Sequence, residues 1–327
     1  MDRIDTHCHV VPDGWRKACE KYGWGKPDGM PAIPAWSPEG HIALMDKLNI
    51  SKSILSITSP GTYLKIDDDE LAIKITRETN DEMAEICAKY STRFGFFAAL
   101  PLPNVEGSLK EIDRALELGA AGFAIMTNAQ GYYPGDPKLD PVFAKLNERK
   151  AVIFMHPTEC CTPGHAGVPR ALDQYPTPMM EYFFDTTRAV VNLLLTGTVD
   201  KYQNLTFLVS HCAATIPPLV ERFTAFATLI LGRTDSPSSA RVKELFRTRF
   251  YFDLAGFPFP DLIKGYLTVG EPGRLLYGSD YPYTPENACI VLSERMEAGL
   301  RELFDEDMIK KIYSGNAQEI LNMENSG

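Results

Sequence analysis

The sequence predicts an α/β fold, a parallel (β/α)8 TIM barrel, and three observations lead there. Short runs rich in β-branched and aromatic residues recur eight times along 327 residues, with helical stretches between them. The runs are near-continuously apolar, as strands covered on both faces are. Histidines and an aspartate gather at their C-terminal ends, where a barrel of this kind opens. A doubly wound open sheet is the alternative, but no G-x-G-x-x-G or phosphate-binding loop follows any run.

In order, the strands are "RIDTHCHV" (3–10), "KSILSIT" (52–58), "FGFFAALP" (94–101), "GFAIMT" (122–127), "AVIFMHP" (151–157), "LTFLVSHC" (205–212), "FYFDLAG" (250–256) and "LLYGSDYP" (275–282). The helix in "SPEGHIALMDKL" starts with Ser37 as cap and Pro38 in the first turn, and "TPENACIVLSERM" puts Thr284 and Pro285 in the same roles. Further amphipathic stretches are 70–90, 106–118, 139–148, 180–200, 214–231, 238–247 and 305–321. The acidic run Asp67 to Glu70 suits a solvated helix start. Two connections, 11–36 and 158–179, exceed what a barrel needs, so extended loops after strands 1 and 5 are expected as lids or pocket walls. No linker divides the chain, which predicts one domain over 1–327.

Composition excludes several classes. No apolar stretch approaches the ~20 residues that span a bilayer. The first apolar segment already carries Asp5, His7 and His9, unlike a signal peptide, which predicts a cytoplasmic protein. A formal charge of −10 disfavours nucleic acid and anionic membranes and leaves a small molecule as the expected partner. Seven cysteines, with Cys160 and Cys161 adjacent and no C-x-x-C, read as reduced thiols.

Side chains two apart on a strand share a face at roughly 6–7 Å. His7 and His9 in "RIDTHCHVV" therefore either grip a metal ion or form a polar stripe. The other strand ends favour the metal: strand 5 ends in His156, strand 6 in His211 and strand 8 in Asp280. Three histidines and a carboxylate on one rim suit zinc or manganese. By period 2 Asp5 shares the face of His7 and His9 and either supports a ligand or serves structure. His41, on a helix, and His165, in a loop, are assigned structural roles.

These residues resemble the amidohydrolase superfamily over essentially the whole chain. "DTTRAVVNLLLTG", "LVSHCAA" and "LLYGSDYPYTP" resemble its non-oxidative decarboxylase branch, which holds the aminocarboxymuconate semialdehyde, γ-resorcylate and iso-orotate decarboxylases. "THCHVVP", "KPDGMPAIPAWSPEGH" and "SILSITSPGT" are similar to the fungal 6-methylsalicylate decarboxylases. The resemblance implies His7, His9, His156 and Asp280 as metal ligands, and His211 and Asp280 as catalytic residues. Strand 4 lacks the lysine that bridges two metals in many relatives, so one divalent metal is expected, Zn²⁺ or Mn²⁺. The branch shows His-x-Gly-Gly after strand 6, whereas this chain has His211, Cys212, Ala213 and Ala214, which alters the local pocket shape.

The implied reaction is decarboxylation of a 2-hydroxybenzoate, 6-methylsalicylate to 3-methylphenol and CO2, with Asp280 delivering the proton to the ring. Hydrolysis of a lactone or amide at one metal is the alternative, and a non-catalytic metal-binding barrel is a third reading. "SITSPGTYL" offers no arginine for a second carboxylate, which favours an apolar ring substituent. Phe257, Phe259 and Tyr283 are expected to face the ring, with Trp36 as a lid residue. Arg188 is expected to anchor its helix through Asp185, and the resemblance implies a homodimer or larger assembly.

Overall fold

Eight strands run parallel in the order β1 to β8: Arg3–His9, Ile50–Ser56, Phe94–Ala99, Gly122–Met126, Val152–His156, Thr206–Val209, Phe250–Asp253 and Leu275–Leu276. The structure is a computed structural model that describes residues 1–160, 172 and 174–323. Backbone bonds close the seam between β8 and β1: the Thr6 N–H donates to the Tyr277 carbonyl at 3.1 Å, and the His9 N–H to that of Tyr281 at 2.7 Å. The predicted barrel is therefore observed.

Near-continuous apolar strands need cover on both faces, and both faces have it. Inside, Ile4, Ile54, Phe97, Phe154, Leu208 and Leu276 pack into a plug. Outside, residues such as Leu55, Phe96, Ile125, Val209 and Phe252 meet the helices. The plug leaves open only the mouth at the strand C-termini.

Local rules place most helices. Ser37 caps Pro38–Lys47, accepting the Gly40 N–H at 3.0 Å, and Asp68 caps Asp69–Lys89 through the Leu71 N–H at 3.2 Å. The 180–200 stretch divides at Gly197, whose φ of 71° ends Glu181–Leu195 before Thr198–Lys201. The connection 11–36 contains an unforeseen helix, Asp13–Lys21, and Asp261–Tyr266 between β7 and β8 was likewise not expected.

Two expectations need correction. Thr284 does not cap a helix: Pro285 takes that position and Glu286–Leu303 starts without a side-chain cap. Strands 6 and 8 are shorter than predicted, because His211 to Ala214 all adopt left-handed backbone, with φ of 55, 52, 65 and 50°, and Asp280 does too, at 60°. No strand continues through such residues. The connection 158–179 lies only partly within the described residues, and His165 lies outside them. Among the described residues no helix is long and apolar enough to cross a membrane.

Candidate active site

The last residue of β7 organises the mouth. Asp253 is fully buried; its Oδ1 accepts the His211 and Ala255 N–H groups, each at 3.0 Å. Its Oδ2 lies 2.9 Å from His7 Nδ1. Asp253 stays ionised, because His7 outweighs the burial that would raise its pKa. The His7 Nδ1 therefore carries a proton and donates it, which makes Nε2 the nitrogen freed for a metal when the ring gives up its second proton.

The same arrangement repeats around the rim. His156 Nδ1 donates to the Pro157 carbonyl at 2.7 Å, and His9 Nδ1 lies 3.3 Å from the Ser56 carbonyl. Both rings thus turn Nε2 inward. His7 and His9 Nε2 are buried without a hydrogen-bond partner, at 3.4 and 3.2 Å from Asp280 Oδ1. One ligand atom from each of His7, His9, His156 and Asp280 lies within 4.8 Å of the others. Two orphaned buried nitrogens beside a carboxylate oxygen are costly unless a cation joins them. This donor set fits one divalent metal ion.

Electrostatics agree with that assignment. Burial pulls the His7 pKa down, but the carboxylates of Asp253 and Asp280 overcome it and lift it to about 10. His9, His156 and His211 are all pushed down by burial and stay neutral. Asp280 is held well below the usual carboxylate range, its burial outweighed by the close approach of His7 and His9 and by the charge on His7.

Asp280 is fixed from three sides. Its backbone N–H donates to the His7 carbonyl at 2.8 Å across the seam. Its Oδ1 faces the histidines, and Oδ2 accepts the Thr284 hydroxyl at 3.2 Å. Neither Asp253 nor Thr284 was anticipated. A carboxylate ending an apolar strand, the signal that exposed Asp280, was also present in "FYFDLAG"; the Thr-Pro pair at 284–285 concealed Thr284 behind a helix-start pattern.

His211 stands on the left-handed turn, its ring stacked on Phe183 with centroids 5.7 Å apart and 4.9 Å from that of His7. Its Nδ1 lies 3.3 Å from the Ala255 carbonyl. His211 thus borders the metal cluster from the cavity side, with Nδ1 tied to the backbone.

Asp5 is not part of the cluster. The β1–β2 pairing shifts register between Asp5 and Cys8, and the Asp5 carboxylate groups instead with Cys8 and His41. Its Oδ1 accepts the N–H groups of His7 and Ser279, each at 3.1 Å, so it braces the two ligand-bearing segments through their backbones. Asp5, Cys8 and His41 do not make a second metal site. Trp36 Nε1–H donates to His41 Nδ1 at 3.0 Å, so the neutral ring carries its proton on Nε2.

A cavity of about 540 Å³ opens above the cluster, and His156, His211 and Asp280 form its polar floor. Met30, Met179, Tyr182, Phe183, Phe257 and Tyr283 supply apolar wall. No Lys or Arg is among its described lining residues. Asp28, from the loop after β1, also lines it and accepts the Tyr182 hydroxyl at 2.7 Å.

Of the four predicted wall residues, the structure brings Phe257 and Tyr283 to the cavity and leaves Phe259 and Trp36 elsewhere. The ring of Phe259 packs over Gly299, where even an added Cβ would lie 2.2 Å from it. Trp36 is spent on His41 and packs against the outer core. Arg188 pairs with Asp185 at 3.6 Å and donates to Cys160 Sγ at 3.0 Å, outside the cavity lining.

The amidohydrolase family model matches residues 4–323. The chain is 34% identical over 293 residues to the decarboxylase yanB of Aspergillus niger, covering 87% of this chain and 78% of that protein. It is 32% identical over 325 residues to the 6-methylsalicylic acid decarboxylase of Penicillium expansum, covering 98% and 96%. A crystal structure described as an amidohydrolase II superposes with a TM-score of 0.86 at 29% identity, covering 98% of this chain and 100% of that one. A dihydroxybenzoic acid decarboxylase from Polaromonas sp. JS666, with bound manganese and 2-nitroresorcinol, shares the fold with a TM-score of 0.82 at 21% identity, covering 99% and 98%.

Proposed function

This chain belongs to the amidohydrolase family, and on that premise we propose that it is a metal-dependent decarboxylase of 2-hydroxybenzoates, 6-methylsalicylate among them. One observation carries the reading: inward-turned histidine nitrogens without protein partners meet Asp280 at the floor of a largely apolar cavity. The names of relatives that align over most of the chain agree with it.

His7, His9, His156 and Asp280 would hold one divalent ion, manganese or zinc, which would supply positive charge to attract an anionic 2-hydroxybenzoate and favour its phenolate at neutral pH. The apolar wall excludes water and suits a ring with a methyl substituent. Asp280 Oδ2 takes the phenolic proton and passes it to the ring carbon that bears the carboxylate. The C–C bond then breaks, its electron pair returns to the ring, and CO2 and a phenolate leave. His211, steadied by Phe183 and the Ala255 carbonyl, orients the substrate beside Asp280. This reading includes a single cytoplasmic barrel domain assembled as a homodimer or larger, which fractionation and light scattering check.

The test incubates metal-loaded protein with 6-methylsalicylate and follows CO2 and 3-methylphenol by mass spectrometry. Equimolar products are expected, with loss of both on chelation. His211→Ala should retain the metal and lose about 100-fold in kcat, as loss of a group that positions the substrate does. No CO2 from metal-loaded protein on any 2-hydroxybenzoate overturns the proposal.

A further inference from the structure

An aspartate that lends one oxygen to a metal and moves a proton on the other must be held so that the second oxygen faces the substrate. In this protein Asp280 Oδ1 lies toward the Nε2 atoms of His7 and His9, and Oδ2 is bonded to the hydroxyl of Thr284. Thr284 lines the same cavity as His211 and Phe257. Its own position is fixed, because its backbone N–H donates to the Asp280 carbonyl at 2.8 Å and closes the turn 280–284.

We propose that Thr284 is a positioning residue for proton transfer, holding Asp280 to one oxygen on the metal and keeping Oδ2 turned to the substrate. The inference rests on the decarboxylase reading of this site. A hydroxyl suits the task because it donates to a carboxylate and accepts from a carboxylic acid by rotating about its C–O bond. It serves Oδ2 both before and after the proton arrives, and a fixed N–H donor would oppose the protonated state. By engaging Oδ2 the hydroxyl would also favour a single Asp280 oxygen, Oδ1, toward a bound metal.

The experiment compares wild type, Thr284→Val and Thr284→Ser as metal-loaded enzymes on 6-methylsalicylate, with metal content and melting temperature measured on each. Valine keeps the volume and removes the hydroxyl; serine keeps the hydroxyl. The expected result is a kcat lower by about 10- to 100-fold in Thr284→Val, the range for an orienting partner of a ligand. KM should stay within about twofold, metal content should stay equimolar, and Thr284→Ser should recover kcat to within about threefold. Wild-type kcat in Thr284→Val, or equal loss in both variants, overturns the inference while wild-type turnover leaves the decarboxylase reading standing. Should the wild type release no CO2 from any 2-hydroxybenzoate, both fall together.

Discussion

Replacing Asp253 by asparagine tests the central geometric argument, that the protein sets the tautomer of its first metal ligand. The carboxylate takes the His211 and Ala255 N–H groups on Oδ1 and the His7 ring N–H on Oδ2. Asparagine has one acceptor, and two backbone donors hold it on the Oδ1 side, so its NH2 group faces His7 Nδ1. Two donors then oppose each other. His7 relieves the clash by moving its proton to Nε2, the atom that must bind the metal. Outer partners of ligating histidines are worth about 10- to 100-fold in metal affinity, or roughly 1.4–2.7 kcal/mol. The lost charge-assisted bond removes a further ~1.5–3 kcal/mol from the metal-free fold. Competition against a chelator of known affinity measures the first quantity and denaturant unfolding of the metal-free protein the second. An Asp253→Asn protein whose metal affinity lies within about twofold of wild type would refute the tautomer argument.

Two further predictions concern the same mouth. His7 is protonated in the metal-free protein up to pH about 10, and the other ligands are held neutral or ionised in the binding form, so binding one metal ion at pH 7 should expel one proton. Protons compete with the metal, so affinity should rise about tenfold per pH unit below 10; a pH-independent affinity, or no proton release in weakly buffered titration, contradicts it. Ala213 is fully buried at φ 65°, where a β-branched side chain clashes with its own backbone, so Ala213→Val should lose at least about 2 kcal/mol. An unchanged unfolding midpoint would show that the left-handed turn relaxes at no cost.

The barrel and the five polar residues at its mouth were legible because two simple periods coincide with them. Apolar runs of strand length located the strands, and the barrel rule says which end matters. His7, His9, His156, His211 and Asp280 needed nothing else. Alternation failed at Asp5, where the register shift within β1 defeats period-2 counting. Phe259 and Trp36 were misplaced because an aromatic residue near a strand end suits a pocket wall and an outer core equally well. Thr284 was hidden by a Thr-Pro helix-start pattern that the helix does not use, since Pro285 takes the cap position and no side chain caps it.

The seam between β8 and β1 gives the metal site a temporal meaning. Two of the proposed ligands, His7 and His9, lie on β1, and a third, Asp280, lies on the other side of the seam, bonded through its backbone N–H to the His7 carbonyl. A ribosome must synthesise every strand from β1 to β8 before this carboxylate exists, so a growing barrel holds only an incomplete claw of imidazoles. Contacts of such large sequence separation form late, after the intervening chain has paid its loop entropy. An ion held as proposed would be a clasp on a finished ring, and its retention a signal that the last strand has docked.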